Sequence, residues 1–344
     1  VTARDTAADR AGTTASLVVA RAPLRVSLAG GGTDLPSYAD RFGGVVISLA
    51  IDRYVGVTAF PRSFGGGVRM CWEDVEQVDH AEELRHRFAR AALLDTGTLR
   101  NIQVASCADA PSGSGLGGSG AFTVALLHAL LHQDGPDPQE LAERAAAIEM
   151  RDLGRPVGKH DHYMAALGGL RLLRIGKDRS VRPESLPIDD RFESYVRERL
   201  LLFFTGVNRD AGQVLSGQDR LTRRGNVGTL RGLQSIHALA AEMLVAVTTG
   251  RVDEVGPLLD AHWQAKRELS EGISNDRTET LYKVGREAGA DGGKLLGAGG
   301  GGFLLLSSGP GRTDEIRAAM AEQNAQELPF GPDTTGSQVV GLSI

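Results

Sequence analysis

Apolar positions along the chain change period several times, and the changes divide it into elements. Short apolar runs at 17–20 and 24–29 predict strands, as do 45–51, 54–60 and 102–106, so the first part of the chain is β-rich. Residues 121–131 are apolar at nearly every position, which suits a helix buried on several sides. Asp137 followed by Pro138 is a strong helix start, opening a segment that runs through Glu149 towards Asp152. Gly168 and Gly169 then introduce a short strand at 170–174. The stretch 177–190 is polar, holds Pro183 and Pro187 and has weak periodicity, so the domain junction is placed there. Beyond it, 200–205 predicts a strand, 229–247 and 252–269 long amphipathic helices, and 278–287 a shorter one. Residues 295–307 predict strand, glycine loop, strand, followed by a helix at 313–324 and a last strand at 337–344. Helices and strands in mixed order favour an α+β fold over a doubly wound parallel sheet. The expected layout is a disordered tail at 1–16, an N-terminal domain at 17–185 and a C-terminal domain at 190–344.

Bulk composition narrows the classes of function. A chain of 344 residues that is 41% hydrophobic is long enough for two domains. Its formal net charge of -5, with both signs interspersed, offers no basic stripe for nucleic acid. Two cysteines, Cys71 and Cys107, are too few for a disulfide framework or a structural zinc site and favour a reducing compartment. The first sixteen residues lack the apolar stretch of a secretory signal, and no run approaches membrane-spanning length, so a cytoplasmic location away from membranes is expected. The unusual quantity is glycine, 45 residues gathered into three patches at 30–32, 113–120 and 297–302. Each adjoins a strand or helix, where backbone without Cβ can approach another group closely.

Gly113, Gly115 and Gly118 fit GxGxxG, which raises a dinucleotide-binding reading. The context opposes it: that fingerprint needs a βαβ unit with an acidic residue about 20 residues on, whereas this chain passes from one helix into another. Exposed amides leading into a helix that starts near Ser119 instead suit the phosphates of a nucleotide. A Walker A loop fails too, because Lys294 precedes Leu295 where Ser or Thr is needed.

Taken together, the three patches resemble the three motifs of the GHMP kinases. The segment Ala22-Pro23-Leu24-Arg25-Val26-Ser27-Leu28-Ala29-Gly30-Gly31-Gly32-Thr33-Asp34 is similar to the family's N-terminal motif, with Gly31-Gly32 where galactokinases carry Glu-His. Pro111-Ser112-Gly113-Ser114-Gly115-Leu116-Gly117-Gly118-Ser119-Gly120-Ala121 resembles the phosphate loop P-x-x-x-G-L-G-S-S-A, with Gly118 in place of the first serine and Gly120 inserted before the alanine. Residues 293–302 are similar to the C-terminal glycine loop. The likeness runs from about Val19 to the C-terminus and lies nearest the D-glycero-D-manno-heptose 7-phosphate kinases, through 30–34, 159–163, 203–206, 270–274 and 292–303. It implies an N-terminal ribosomal-protein-S5-like domain and a C-terminal ferredoxin-like α/β domain. It also implies a magnesium-dependent sugar kinase, acting as monomer or homodimer, that carries the γ-phosphate of ATP to the anomeric hydroxyl of a heptose 7-phosphate. Kinases for other sugars, such as fucose or a free heptose, and a non-catalytic sensor of sugar and nucleotide are the alternatives.

The resemblance also distributes roles. Asp161 aligns with the family's catalytic aspartate, with Arg25 to neutralise phosphoryl charge and keep Asp161 ionised. Pro111, Gly113, Ser114, Gly115, Leu116, Gly117, Gly118, Ser119 and Gly120 are expected at the nucleotide phosphates. Ser119 and Glu149 supply hard oxygen donors for Mg2+. Gly31, Gly32, Thr33, Asp34, Lys159, His162, Gly299 and Gly300 are expected around the sugar. Lys159, Arg41, Arg209 and Lys266 are the cations available to a sugar phosphate. His160, Asp161 and His162 could instead be metal ligands, although neighbouring positions converge poorly on one ion.

Overall fold

A computed structural model of the chain describes residues 16–208 and 211–343. The expected tail lies, but for Ser16, outside the described residues, as does Arg209. In chain order the strands are β1 (Ser16–Ala29), β2 (Gly44–Pro61), β3 (Val68–Cys71), β4 (Val75–Val78), β5 (Ile102–Ala108), β6 (Leu170–Ile175), β7 (Val181–Leu186), β8 (Leu200–Phe204), β9 (Ala290–Leu295), β10 (Phe303–Ser308), β11 (Gln326–Glu327) and β12 (Gln338–Ser343). The α-helices are α1 (Pro36–Phe42), α2 (Arg87–Asp95), α3 (Gly118–Leu130), α4 (Pro138–Ala147), α5 (His160–Leu167), α6 (Asp190–Arg199), α7 (Ala211–Arg223), α8 (Val227–Thr248), α9 (Val255–Arg267), α10 (Asp276–Glu287) and α11 (Thr313–Glu322).

Two sheets carry the α+β architecture. The first runs β12-β1-β2-β5-β3-β4, with β6 also paired to β2 and β7 to β6; the second runs β11-β8-β10-β9. The two pairs of apolar runs at the start of the chain are each one long strand rather than two. Between Pro23 and Leu24 the β1–β2 register jumps, with Pro23 opposite Tyr54 and Leu24 opposite Ile51. Asp52 and Arg53 bulge out where Pro23 has no N–H to offer, and the polar pair made one strand read as two. Beyond the bulge, residues 45–51 of β2 are buried on both faces, since α3, α5 and α8 pack on β1 and β2.

The boundary between the halves differs from the sequence reading in two ways. Residues 181–186, expected in a polar junction, form β7, an exposed strand paired with β6. The last strand, expected with the C-terminal domain, returns to the first sheet, where Gln338–Ser343 pairs antiparallel with 16–21 of β1. Its approach is fixed by buried Asp333, which accepts hydrogen bonds from Tyr54 Oη at 2.9 Å and from the amides of Thr335 and Gly336. One core cluster accordingly joins Val26, Ile47 and Leu126 of the first half to Met243, Leu259 and Leu305 of the second.

Candidate active site

All three glycine patches contribute to one cavity of about 1090 Å³. Strand alternation in β1 points Arg25 and Ser27 at it while Leu24, Val26 and Leu28 face the core. Helix α3 begins after Gly117, whose left-handed backbone (φ 81°) turns the chain into the first helical turn. No side chain caps that turn and no acidic residue lies in it, and Gly118 and Ser119 at its start line the cavity, a setting whose chemistry suits an anion. The third glycine loop braces the second from behind. A Cβ on Gly297 would lie 2.5 Å from Gly115 Cα, and one on Gly302 2.2 Å from Ser114 O, contacts that only glycine allows.

Asp161 sits in the first turn of α5, directly against the start of α3. Arg25, 5% exposed, clasps it: Nε and Nη2 donate to Asp161 Oδ1 at 2.9 and 2.6 Å, and Nη1 donates to Gly115 O at 2.5 Å. Burial alone raises the Asp161 pKa, but the Arg25 charge and hydrogen bonds more than reverse this and hold it at about 2. Neighbouring His160 is lowered too, to about 3, through burial and then the Arg25 charge, and is neutral at physiological pH. Asp34 lines the same cavity. Burial, then the Asp161 charge, pushes its pKa up to about 6, against the hydrogen bond it accepts from Gly32 N.

Glu149, 2% exposed, hangs from a π-helical turn (Ile148–Asp152) that ends α4, a distortion that swings the carboxylate under the start of α3. It accepts from Ser119 Oγ at 3.1 Å and from Arg155, and His162 Nε2 lies 2.9 Å from its other oxygen. Ser119 and Glu149 thus present a hydroxyl and a carboxylate side by side, the donor chemistry that Mg2+ takes together with waters and phosphates.

The cavity wall brings together Arg25, Gly31, Gly32, Asp34, Gly113, Ser114, Gly115, Gly117, Gly118, Ser119, Glu149, Asp161, His162 and Lys266. Several expected residues lie elsewhere. Thr33 is fully buried and bonded to Gly30 O and Val45 O, shaping the turn rather than facing the cavity. Lys159 pairs with Glu143 and Arg179 O, and Arg41 lies over the Phe42 ring. Gly299 and Gly300 fasten the third loop to Ile273 and Asn275, leaving Gly297 and Ala298 on the wall. Pro111, Leu116 and Gly120 support the phosphate loop from outside the wall. His162 lines the wall as well, with its Nε2 against Glu149 at 2.9 Å.

Sequence reasoning passed over Arg155, His262 and the buried role of Lys294, all on the wall. Lys294 stands in the sequence after Gly293 and before Leu295, a setting that bears on the Walker A pattern and not on its burial. Among the described residues no three His, Cys, Asp or Glu side chains form a metal-binding group, and no helix is long and apolar enough to cross a membrane.

Comparison with known proteins agrees with this fold. The GHMP kinase N-terminal domain matches residues 81–169 and the GHMP kinase C-terminal domain residues 243–326. The chain is 28% identical to the D-glycero-alpha-D-manno-heptose 7-phosphate kinase of Campylobacter jejuni over 90% of this chain and 94% of that protein. It is 30% identical to a galactokinase of Chloroflexus aggregans, over 88% of this chain and 86% of the relative. Among solved structures, a D-glycero-D-manno-heptose 1-phosphate kinase from Bacteroides thetaiotaomicron superposes with a TM-score of 0.77 at 23% identity, covering 94% of this chain and 98% of that one. At that identity the last likeness concerns the fold.

Proposed function

The chain belongs to the GHMP kinases, phosphotransferases that act on an alcohol group, and from that premise we propose that it transfers the γ-phosphoryl group of ATP to the anomeric hydroxyl of a heptose 7-phosphate. The observation that carries the reading is the Arg25–Asp161 pair set against the open N-terminus of α3 in one cavity. A phosphate bound at those amides would meet a hydroxyl held by that carboxylate.

In this reading the amides of 113–119 and the end of α3 hold the triphosphate. Ser119 and Glu149 would hold Mg2+, which would supply charge neutralisation on the phosphates. Asp34 accepts hydrogen bonds from sugar hydroxyls. A carboxylate with a pKa of about 2 is a weak base, so Asp161 orients the hydroxyl and receives its proton late, as the bond to phosphorus forms. Such timing suits a loose transition state, in which positioning contributes most of the rate. Arg25 stays charged throughout, keeps Asp161 ionised and ties it to the phosphate loop through Gly115.

Incubation with ATP, Mg2+ and a panel of free and phosphorylated sugars is expected to give saturable ADP release, greatest with the heptose 7-phosphate. Asp161→Asn is expected to lower kcat by about 10³-fold or more while ATP affinity, read by fluorescence titration, stays within about threefold. Turnover unchanged by that substitution would remove Asp161 from the mechanism.

A further inference from the structure

Three basic side chains on one wall of the cavity have no part in the chemistry described above. Lys294 comes from β9, and His262 and Lys266 stand one turn apart on α9. All are buried, with exposures of 1%, 1% and 6%. Among the described residues Lys294 Nζ reaches only Leu28 O, at 3.5 Å, and Lys266 Nζ donates to Leu295 O and Gly297 O at 3.0 and 2.6 Å. An ammonium carries three donors, so protons on both remain unmatched. Among the described residues neither lysine is paired with a carboxylate, and both ring nitrogens of His262 lack a hydrogen-bond partner. Burial, followed by the charge of Arg25, lowers Lys266 to about 7; burial, then Lys266 and Arg25, drives Lys294 well down. In the empty cavity both shifts disfavour the charged ammonium, and a bound anion restores it.

Position along β1 indicates which anion. Gly117, beside the proposed γ-phosphate site, packs against Arg25 and Asp161. Lys294 touches the same strand three residues further on, at Leu28, towards the 30–34 turn and Asp34. Three strand residues span about 10 Å. A seven-carbon sugar with its anomeric hydroxyl at Asp161 reaches roughly as far to a phosphate on its other end, given bonds of about 1.5 Å. We infer that Lys294 and Lys266, with His262 beside them, hold the phosphate monoester already carried by the acceptor sugar. The inference rests on the kinase reading and deepens it, assigning the side chains that recognise the phosphate the acceptor already carries.

The test compares D-glycero-D-manno-heptose 7-phosphate with the free heptose as substrates of the full chain and of Lys294→Met and Lys266→Met. Each variant is expected to lower the ratio of kcat/KM, phosphorylated over free sugar, by about 10- to 100-fold, the range for a charge-assisted contact. Affinity for ATP is expected to stay within about threefold. Lys294→Met is expected to melt at or above the wild-type temperature, because it removes a buried amine with a single long contact, and Lys266→Met to stay within a few degrees of it, because the loss of two carbonyl contacts opposes the same gain. An unchanged ratio overturns the inference, whether it comes with weaker ATP binding, which would assign the lysines to the nucleotide, or with a lower melting temperature, which would make them structural. A separate arm titrates the heptose 7-phosphate calorimetrically into protein saturated with a non-hydrolysable ATP analogue. Binding that both variants lose supports the phosphate site even if no sugar releases ADP, an outcome that would sink the kinase reading alone; no binding, or equal binding to all three proteins, overturns the site.

Discussion

Two aspartates in one cavity are driven in opposite directions by what surrounds them. Asp161 has Arg25 against it and stays ionised down to about pH 2, whereas Asp34 has burial and the Asp161 charge against it and protonates near pH 6. Between about pH 4 and 6 the folded chain therefore holds a proton on Asp34 that the unfolded chain has released, and stability falls as pH rises through that window. Above it the Asp34 carboxylate weakens the ligand-free fold. Asp34→Asn is expected to raise the melting temperature at pH 7.5, to match wild type near pH 4, and to raise KM for the sugar by about tenfold or more. In the wild type, kcat/KM is expected to fall below pH 6 as Asp34 protonates, and the substitution should abolish that limb. Equal or lower melting temperatures for the variant at pH 7.5 would show that the carboxylate carries no strain.

At the scale of elements, the site depends on how closely α5 lies against α3. A Cβ on Gly120 would stand 2.9 Å from Asp161 Cβ and 3.1 Å from its carbonyl carbon. Gly120→Ala favours the helix by about 1 kcal/mol of propensity, yet it must push α5 outward, because part of the obstacle is backbone. A displacement near 1 Å can cost on the order of 10²-fold, so kcat is expected to fall by about tenfold or more with helix content by circular dichroism preserved. Full activity would show that α5 has room to yield. How legible these elements were in the sequence follows from the same packing. Helix α3 was plain because its apolar residues are continuous and nearly all buried. Helix α5 was not, since eight residues buried on most sides display no amphipathic period. Strand β7 read as a linker because it is an exposed edge holding Pro183. Arg25, Asp34, Ser119 and Asp161 could be picked out through the resemblance of the segments that hold them to the motifs of a known family. The burial of Lys294 against Leu28 could not, because it arises only when β9 meets β1, 266 residues away in sequence.

Over the whole molecule, the chain's two halves are bound together by its last strand and by α8 and α9. Strand β12 covers the outer edge of β1, and the cluster that holds Val26 and Leu126 continues through Met243, Val255 and Leu259. A cut between two independent domains near 186–189 would leave β1 with an open edge and would strip this core of its second side. Unfolding in urea is accordingly expected to be a single cooperative transition, seen alike by fluorescence and circular dichroism. Ending the chain after Gly336 removes β12, whose ladder of six residues is worth about 3–6 kcal/mol at roughly 0.5–1 kcal/mol for each backbone hydrogen bond. The shortened chain is expected to melt about 5–10 °C lower and to self-associate through the exposed β1 edge, as light scattering would register. The cavity lies between the sheets and draws Arg25 from the first and Lys294 from the second, so sugar turnover should decline together with the fold. A shortened chain that keeps both its melting temperature and its monomeric state would mean that β12 only rests on the sheet, and that the two halves cohere through α8 and α9 alone.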